Sequence, residues 1–333
     1  MLLPSRTARG ILACLLFLGA CAQSTPSHPP DGAADDSGDF HPPSCPNPTA
    51  ILPDCARCPA EGRSVENMRC AVGLCDNQVY LGGEIGSPVR ARIKGAFEAT
   101  ARLGSTDMGE TCALLATGSA AATEHDVDLG GSAMVDPFLE GRVEMHDVIE
   151  WRLHLRAPAG AGGIRIRYVF LSADYDENVG GSSSDKFRII LQAPSVASGA
   201  PVVINFAPCR EGAGSSDFVC ADAGLHCELG QPYCHISVNS ALSECCWRRD
   251  CASGRATDLA GTGFECAASR AEDGPDRGGS TGWLVTEWPI ATGEAFDLVF
   301  QIHDAGDSLG DSEAIIDEVL FVGAPEPGTR ICE

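Results

Sequence analysis

Val148-Ile-Glu-Trp-Arg-Leu-His-Leu155 places Ile149, Trp151, Leu153 and Leu155 on one side of an extended chain and Glu150, Arg152 and His154 on the other. Successive side chains of a strand point to opposite faces, so this period of two marks a half-buried β-strand. The pattern returns in Ile164-Arg-Ile-Arg-Tyr-Val-Phe-Leu171. Further strands are predicted at 187–191, 202–206, 283–288, 296–302 and 314–322, between turns rich in Gly, Asp and Pro. Residues 89–103 fit either a strand pair or a helix. No segment carries a long, capped helical period. Short strands separated by turn residues predict an all-β domain, a β-sandwich or jelly-roll-like fold.

Outward from this domain, the N-terminus reads as an export signal. Arg6 and Arg9 precede a short apolar run at 11–18, too short to span a bilayer. The run ends in Leu18-Gly-Ala-Cys21, which resembles the lipobox of bacterial lipoproteins. That resemblance implies cleavage after residue 20 and a lipid on the Cys21 thiol. Ala22 then favours the outer membrane. The expected organisation is a signal peptide (1–20), a disordered tether (21–44), a Cys-rich stapled segment (45–78), the β-sandwich (79–323) and a short tail (324–333). The tether is Ser, Pro, Asp and Gly with almost nothing apolar, so burial cannot offset its ordering entropy.

Acidic residues number 46 against 23 basic, a formal charge of −23. Losing Arg6 and Arg9 with the signal makes the mature charge −23 − 2 = −25. Such a surface argues against nucleic acid, which is bound through basic patches. It suits divalent cations or basic partners. The membrane partner is expected through the lipid alone, with a surface protein or a glycan as ligand.

Seventeen cysteines exceed what a reduced cytosolic chain carries, and they predict disulfides outside the cytosol. Cys14 leaves with the signal and Cys21 takes the lipid. The candidates left are Cys45, Cys55, Cys58, Cys70, Cys75, Cys112, Cys209, Cys220, Cys227, Cys234, Cys245, Cys246, Cys251, Cys266 and Cys332. Their number is odd, so at least one thiol is left over or pairs between chains. Eight of them lie between Cys209 and Cys266, in a stretch poor in aliphatic residues. This stretch is expected to be a disulfide-knit insertion at about 208–278. Cys55-Ala-Arg-Cys58 has the spacing of zinc and redox sites, but no second pair follows it, which favours a structural disulfide.

Several stretches in order resemble the choice-of-anchor L family of bacterial surface and secreted proteins. They are Leu114-Leu-Ala-Thr-Gly118, Asp136-Pro137, His146-Asp-Val148, Tyr168-Val-Phe-Leu-Ser-Ala-Asp-Tyr175 and Asp185-Lys-Phe187. Gly279-Ser-Thr-Gly-Trp-Leu284, Gly293-Glu294, Ile302-His-Asp304, Asp307, Asp311-Ser312 and Ile316-Asp317 complete the set. The resemblance covers about residues 80–323 and implies a β-sandwich at the cell surface without an established activity. Ala173 departs from the family's first Glu, and the Cys-rich excursion is longer than the family's loop.

Two acidic loops are the candidate site. One holds Asp174, Asp176, Glu177 and Asp185; the other holds Asp304, Asp307 and Asp311. Each follows a predicted strand, so they are expected to meet at one end of the sandwich. Converging carboxylates repel unless a cation or proton intervenes. Ca²⁺ accepts irregular cages of six to eight oxygens and is the expected cofactor. Turn capping by the same aspartates is the competing reading. A metal-dependent or acid/base hydrolase at this cluster is the alternative function, with Asp174 and Glu177 as a carboxylate pair. Gly278-Gly-Ser280-Thr-Gly282 matches G-x-S-x-G, but a polar run precedes it and a strand follows it, the reverse of a nucleophile elbow.

Overall fold

The computed structural model describes residues 50–51, 64–86, 91–95, 111–118, 133–138, 144–173, 185–208, 233–237, 264, 279–281, 283–306, 308 and 310–331. Along the chain these form β1 (Ala50–Ile51), α1 (Val65–Ala71), β2 (Tyr80–Ile85), β3 (Ala91–Gly95), β4 (Thr111–Ala116) and β5 (Met134–Val135). Next come β6 (Glu144–Arg156), β7 (Gly163–Ser172), β8 (Lys186–Gln192), β9 (Val202–Val203), β10 (Phe206–Pro208) and β11 (Tyr233–Ser237). The last five are β12 (Gly279–Ser280), β13 (Leu284–Pro289), β14 (Ala295–Ala305), β15 (Ser312–Val322) and β16 (Gly328–Ile331).

Every strand pair is antiparallel, and the strands form two sheets. The first runs β16-β13-β7-β15-β4-β3, with β1 beside β15 and β12 beside β7. The second runs β10-β11-β8-β14-β6-β2, with β5 beside β6 and β9 beside β8. The fold is an all-β sandwich. Its long strands come in two consecutive triples, β6-β7-β8 and β13-β14-β15, and each triple crosses from one sheet to the other and back. The triples interlock: β14 lies between β6 and β8, and β7 lies between β13 and β15. Neither triple completes a sheet alone, so the core closes only when residues far apart in sequence meet.

The period of two decides which side chains close it. Ile149, Trp151, Leu153 and Leu155 of β6 are fully buried, while the residues between them are partly exposed. Ile164, Ile166, Tyr168 and Phe170 of β7 face the same core, with Phe187, Phe300, Ile302 and Ile316. Rings join the sheets where Tyr168 meets Phe187 at 5.2 Å and Phe296 meets Phe321 at 6.3 Å between centroids. Truncating such a buried ring costs about 3–5 kcal/mol.

β7 is buried on both faces. Its outward Val169 and Leu171 join Leu114, Trp283, Ile315 and Phe264 in a second apolar cluster. Phe264 comes from the Cys-rich stretch between Cys209 and Cys266 and is fully buried, so that stretch sets at least one side chain against the first sheet's outer face. Outward Arg167 lies over the Trp283 ring, 4.7 Å from its centroid, and 3.7 Å from Asp317. Burial lowers the pKa of neighbouring Arg165, and Glu287, 3.9 Å away, opposes that shift.

Three expectations change in detail. The strand predicted at 202–206 is split into β9 and β10, because the Asn205 side chain takes the place of a backbone partner. Its Oδ1 accepts from Ile189 N at 2.6 Å and its Nδ2 donates to Phe187 O at 3.0 Å. The ambiguous stretch 89–103 contains β3, a strand. The described part of the Cys-rich segment, 64–78, packs into the sandwich core through Met68, Ala71, Val72 and Leu74. Helix α1 starts where Ser64 Oγ accepts from Asn67 N, with Glu66 in its first turn and Arg69 in its last, the charge order that a helix dipole favours.

Candidate functional site

The structure brings Asp185, Asp304 and Asp311 to one end of the sandwich, where β4, β7, β8, β14 and β15 converge. Asp185 bridges the sheets. Its Oδ1 accepts from Ala305 N on β14 at 3.2 Å and its Oδ2 accepts from Ser312 Oγ on β15 at 2.6 Å. Ser312 N in turn donates to Thr117 Oγ1 at 2.9 Å, and Thr117 N donates to Ser312 O at 2.9 Å. Ala173 N donates to Asp311 O at 3.1 Å, which ties the end of β7 to the start of β15. Asp311 fills the space above Gly118, where a Cβ would stand 2.0 Å from its Oδ2.

These carboxylates are sealed: Asp185 is 1% exposed, Asp304 0% and Asp311 2%. Asp174, Asp176, Glu177 and Asp307 lie outside the described residues, as does Cys21. Among the described residues no group of three or more His, Cys, Asp or Glu side chains is arranged to hold a metal ion. What the described part of this end does chemically is join strand ends from both sheets with carboxylate, hydroxyl and amide groups.

Of the disulfide candidates, Cys45, Cys55, Cys58, Cys209, Cys220, Cys227, Cys245, Cys246, Cys251, Cys266 and Cys332 also lie outside the described residues. So does the side chain of Cys234. Cys70 and Cys75 are disulfide-bonded, but with sulfurs 3.7 Å apart they are not bonded to each other. Cys112, counted among the candidates, is a buried thiol in β4. Ser280 sits in β12, paired with Leu171 of β7, and the next strand follows within four residues. A nucleophile elbow needs a strand-to-helix turn at that serine.

Sequence reasoning missed a second polar cluster, on the outer face of the second sheet. The fully buried Arg188 donates from Nη1 to Asp136 Oδ1 at 2.9 Å and from Nη2 to Asp136 Oδ2 at 2.5 Å. Nη1 also reaches Gln301 Oε1 at 3.4 Å, and Gln301 donates to Glu150 Oε1 at 2.7 Å. Phe138 covers the guanidinium at 5.2 Å. His303 lies 3.9 Å from Asp136, and neither of its ring nitrogens has a hydrogen-bond partner among the described residues. Burial, then Arg188, Lys186 and His235, hold His303 well below the usual histidine range. Its signals in the sequence were a charged residue inside an apolar run, Lys186-Phe-Arg-Ile-Ile-Leu191, and the Asp136-Pro137 and Ile302-His-Asp304 stretches, none of which pointed to the others.

A third arrangement faces water near the far end of β8. His154 donates from Nδ1 to Asp297 Oδ1 at 2.7 Å, and Arg152 Nη1 reaches Asp297 Oδ2 at 3.5 Å. The His154 and Asp297 side chains are 45% and 31% exposed. They lie in an open groove of about 410 Å³ that Leu81, Gln192, Pro194 and Phe296 also line.

No family model matches the chain, and no curated protein does. Among solved structures, a carbohydrate-binding module determined in complex with β-1,4-galactotriose aligns with 73% of this chain and 90% of its own, at 7% identity and a TM-score of 0.27. A likeness that slight bears on neither the fold nor the ligand of this chain.

Proposed function

We propose that this chain is an exported, membrane-tethered β-sandwich serving as an interaction or structural module of the cell envelope. The burial of Asp185, Asp304 and Asp311 supports this reading over a hydrolase that works through those three. A hydrolase working through Asp185, Asp304 or Asp311 would need those carboxylates at its substrate, whereas each is at most 2% exposed. Asp185 is already committed to hydrogen bonds with both sheets. The lipobox-like Leu18-Gly-Ala-Cys21 supports a lipid on Cys21, and Ala22 supports the outer membrane. The ordered motifs resembling the choice-of-anchor L family support a surface location.

The test pairs turnover with stability. The mature chain and Asp304→Asn are assayed on ester, phosphoester and glycoside substrates and melted in parallel. The module reading expects no turnover from the parent and a lower melting temperature for the variant. Turnover that Asp304→Asn abolishes at an unchanged melting temperature would establish the hydrolase instead. Ca²⁺ at this end would need oxygens from Asp174, Asp176, Glu177 or Asp307 beside the described three. Melting in excess EDTA and then in Ca²⁺ tests it, since a ligand at 100 times its Kd adds about 2.7 kcal/mol to the folded state.

A further inference from the structure

Gln192, Asp297 and His154 stand side by side on β8, β14 and β6, in a register that pairs Asp297 with both of the others. Gly82 of β2 continues the row opposite His154. Glycine suits that place. Its φ is +151°, and a Cβ there would stand 3.8 Å from the His154 ring, so the edge of the imidazole is left uncovered. The row is held on paired strands of one sheet, which fixes the spacing of its polar groups before any ligand arrives.

The groups in this row narrow the ligand chemistry. Asp297 is occupied by Arg152 and His154, so it offers no uncompensated carboxylate to a cation. With Nδ1 committed to Asp297, His154 Nε2 has no hydrogen-bond partner among the described residues. The Gln192 amide, which both donates and accepts, is exposed one strand beyond Asp297. Leu81, half-exposed, and Pro194 supply apolar surface in the same groove. The volume falls within the range of small-ligand clefts, about 300–1,000 Å³. A partner matching all of this carries several hydroxyls on an apolar ring and no formal charge.

We infer that this groove is a saccharide site, taking a neutral sugar through His154 Nε2 and the Gln192 amide, with Leu81 and Pro194 against its C–H face. The inference rests on the interaction-module reading and names the ligand class and the residues. The mature full chain is titrated with labelled neutral tetrasaccharides (glucan, galactan and mannan series). An oligouronate and an unstructured peptide serve as separate arms, and His154→Ala and Gln192→Ala are measured beside the parent.

The expected result is binding of at least one neutral series, weakened about tenfold in each variant, with melting temperatures within about 4 °C of the parent's. Equal binding by parent and variants would put the sugar elsewhere and overturn the groove assignment. Binding of the peptide or the oligouronate in place of neutral sugars, lost in the variants, would overturn the sugar class and leave the module reading standing. No binding of any probe, with no turnover, would likewise overturn this inference alone. Cleavage of the sugars, read as shortened products, would overturn the module reading itself.

Discussion

Asp185 and Asp297 are both aspartates of the second sheet's neighbourhood, one just before β8 and the other beside its last residue, yet they do opposite things. Asp185 is 1% exposed and takes its hydrogen bonds from a backbone amide and a serine hydroxyl. Asp297 is about a third exposed and takes Arg152 and His154, two side chains that also reach water. A buried carboxylate must be satisfied by fixed donors, and here those donors belong to different sheets, so satisfying the charge also fastens the sandwich. An exposed one gains little from its cations, because water and salt screen them. The described carboxylate Asp185 therefore fastens strand ends, while the side chains at the groove end stay open to water.

The largest expected effect lies between these extremes, at Arg188. Removing it by Arg188→Ala strands the Asp136 carboxylate in a buried site, and breaking a buried pair costs about 3–5 kcal/mol. Urea unfolding measures this as a lower midpoint at an unchanged slope. A loss under 1 kcal/mol would mean that water reaches Asp136 and that the contrast between buried and exposed pairs is overdrawn.

Acid should expose the same cluster through His303. Its pKa is lowered well below 6.5 in the folded protein, so the unfolded chain takes up a proton that the folded chain refuses. Stability is then whole above about pH 6.5 and falls as pH drops below it, by at most about 1.4 kcal/mol per unit for one proton. His303→Gln should flatten that part of the profile. An identical slope in the variant would assign the acid sensitivity to other groups. A second pH effect waits at the alkaline side. Burial pushes the Tyr168 hydroxyl up to about 12, so its contribution holds below pH 10 and is lost as pH rises toward 12. Tyr168→Phe should lessen that loss in the melting profile.

Much of this contrast was legible in the sequence, and the rest was hidden for physical reasons. Alternation located β6 and β7, and short apolar runs between turns rich in Gly, Asp and Pro located β8, β13, β14 and β15, but of these only β6 writes its burial as a period of two. The meeting of Asp185, Asp304 and Asp311 followed from their places at the ends of predicted strands. Their burial did not follow, since an aspartate in a turn reads alike whether it faces water or a second sheet. The Asp136–Arg188 and His154–Asp297 pairs join residues 52 and 143 positions apart, and only the sheet register brings them together. Helix α1 was missed because seven residues are too few to show a helical period. The docking of Phe264 was missed because nothing in the sequence sets it apart from Phe218, Tyr233 and Trp247, the other aromatics of the Cys-rich stretch.

The most direct test sets Asp185→Ala beside His154→Ala in urea unfolding. Asp185→Ala is expected to lose at least about 2–3 kcal/mol, from the buried hydrogen bonds to Ala305 and Ser312 and the donors left unmatched. His154→Ala is expected to lose no more than about 1 kcal/mol, the range of an exposed pair. An Asp185→Ala protein as stable as the parent, or a His154→Ala protein destabilised as much as Asp185→Ala, would contradict the division into a fastened end and an open one.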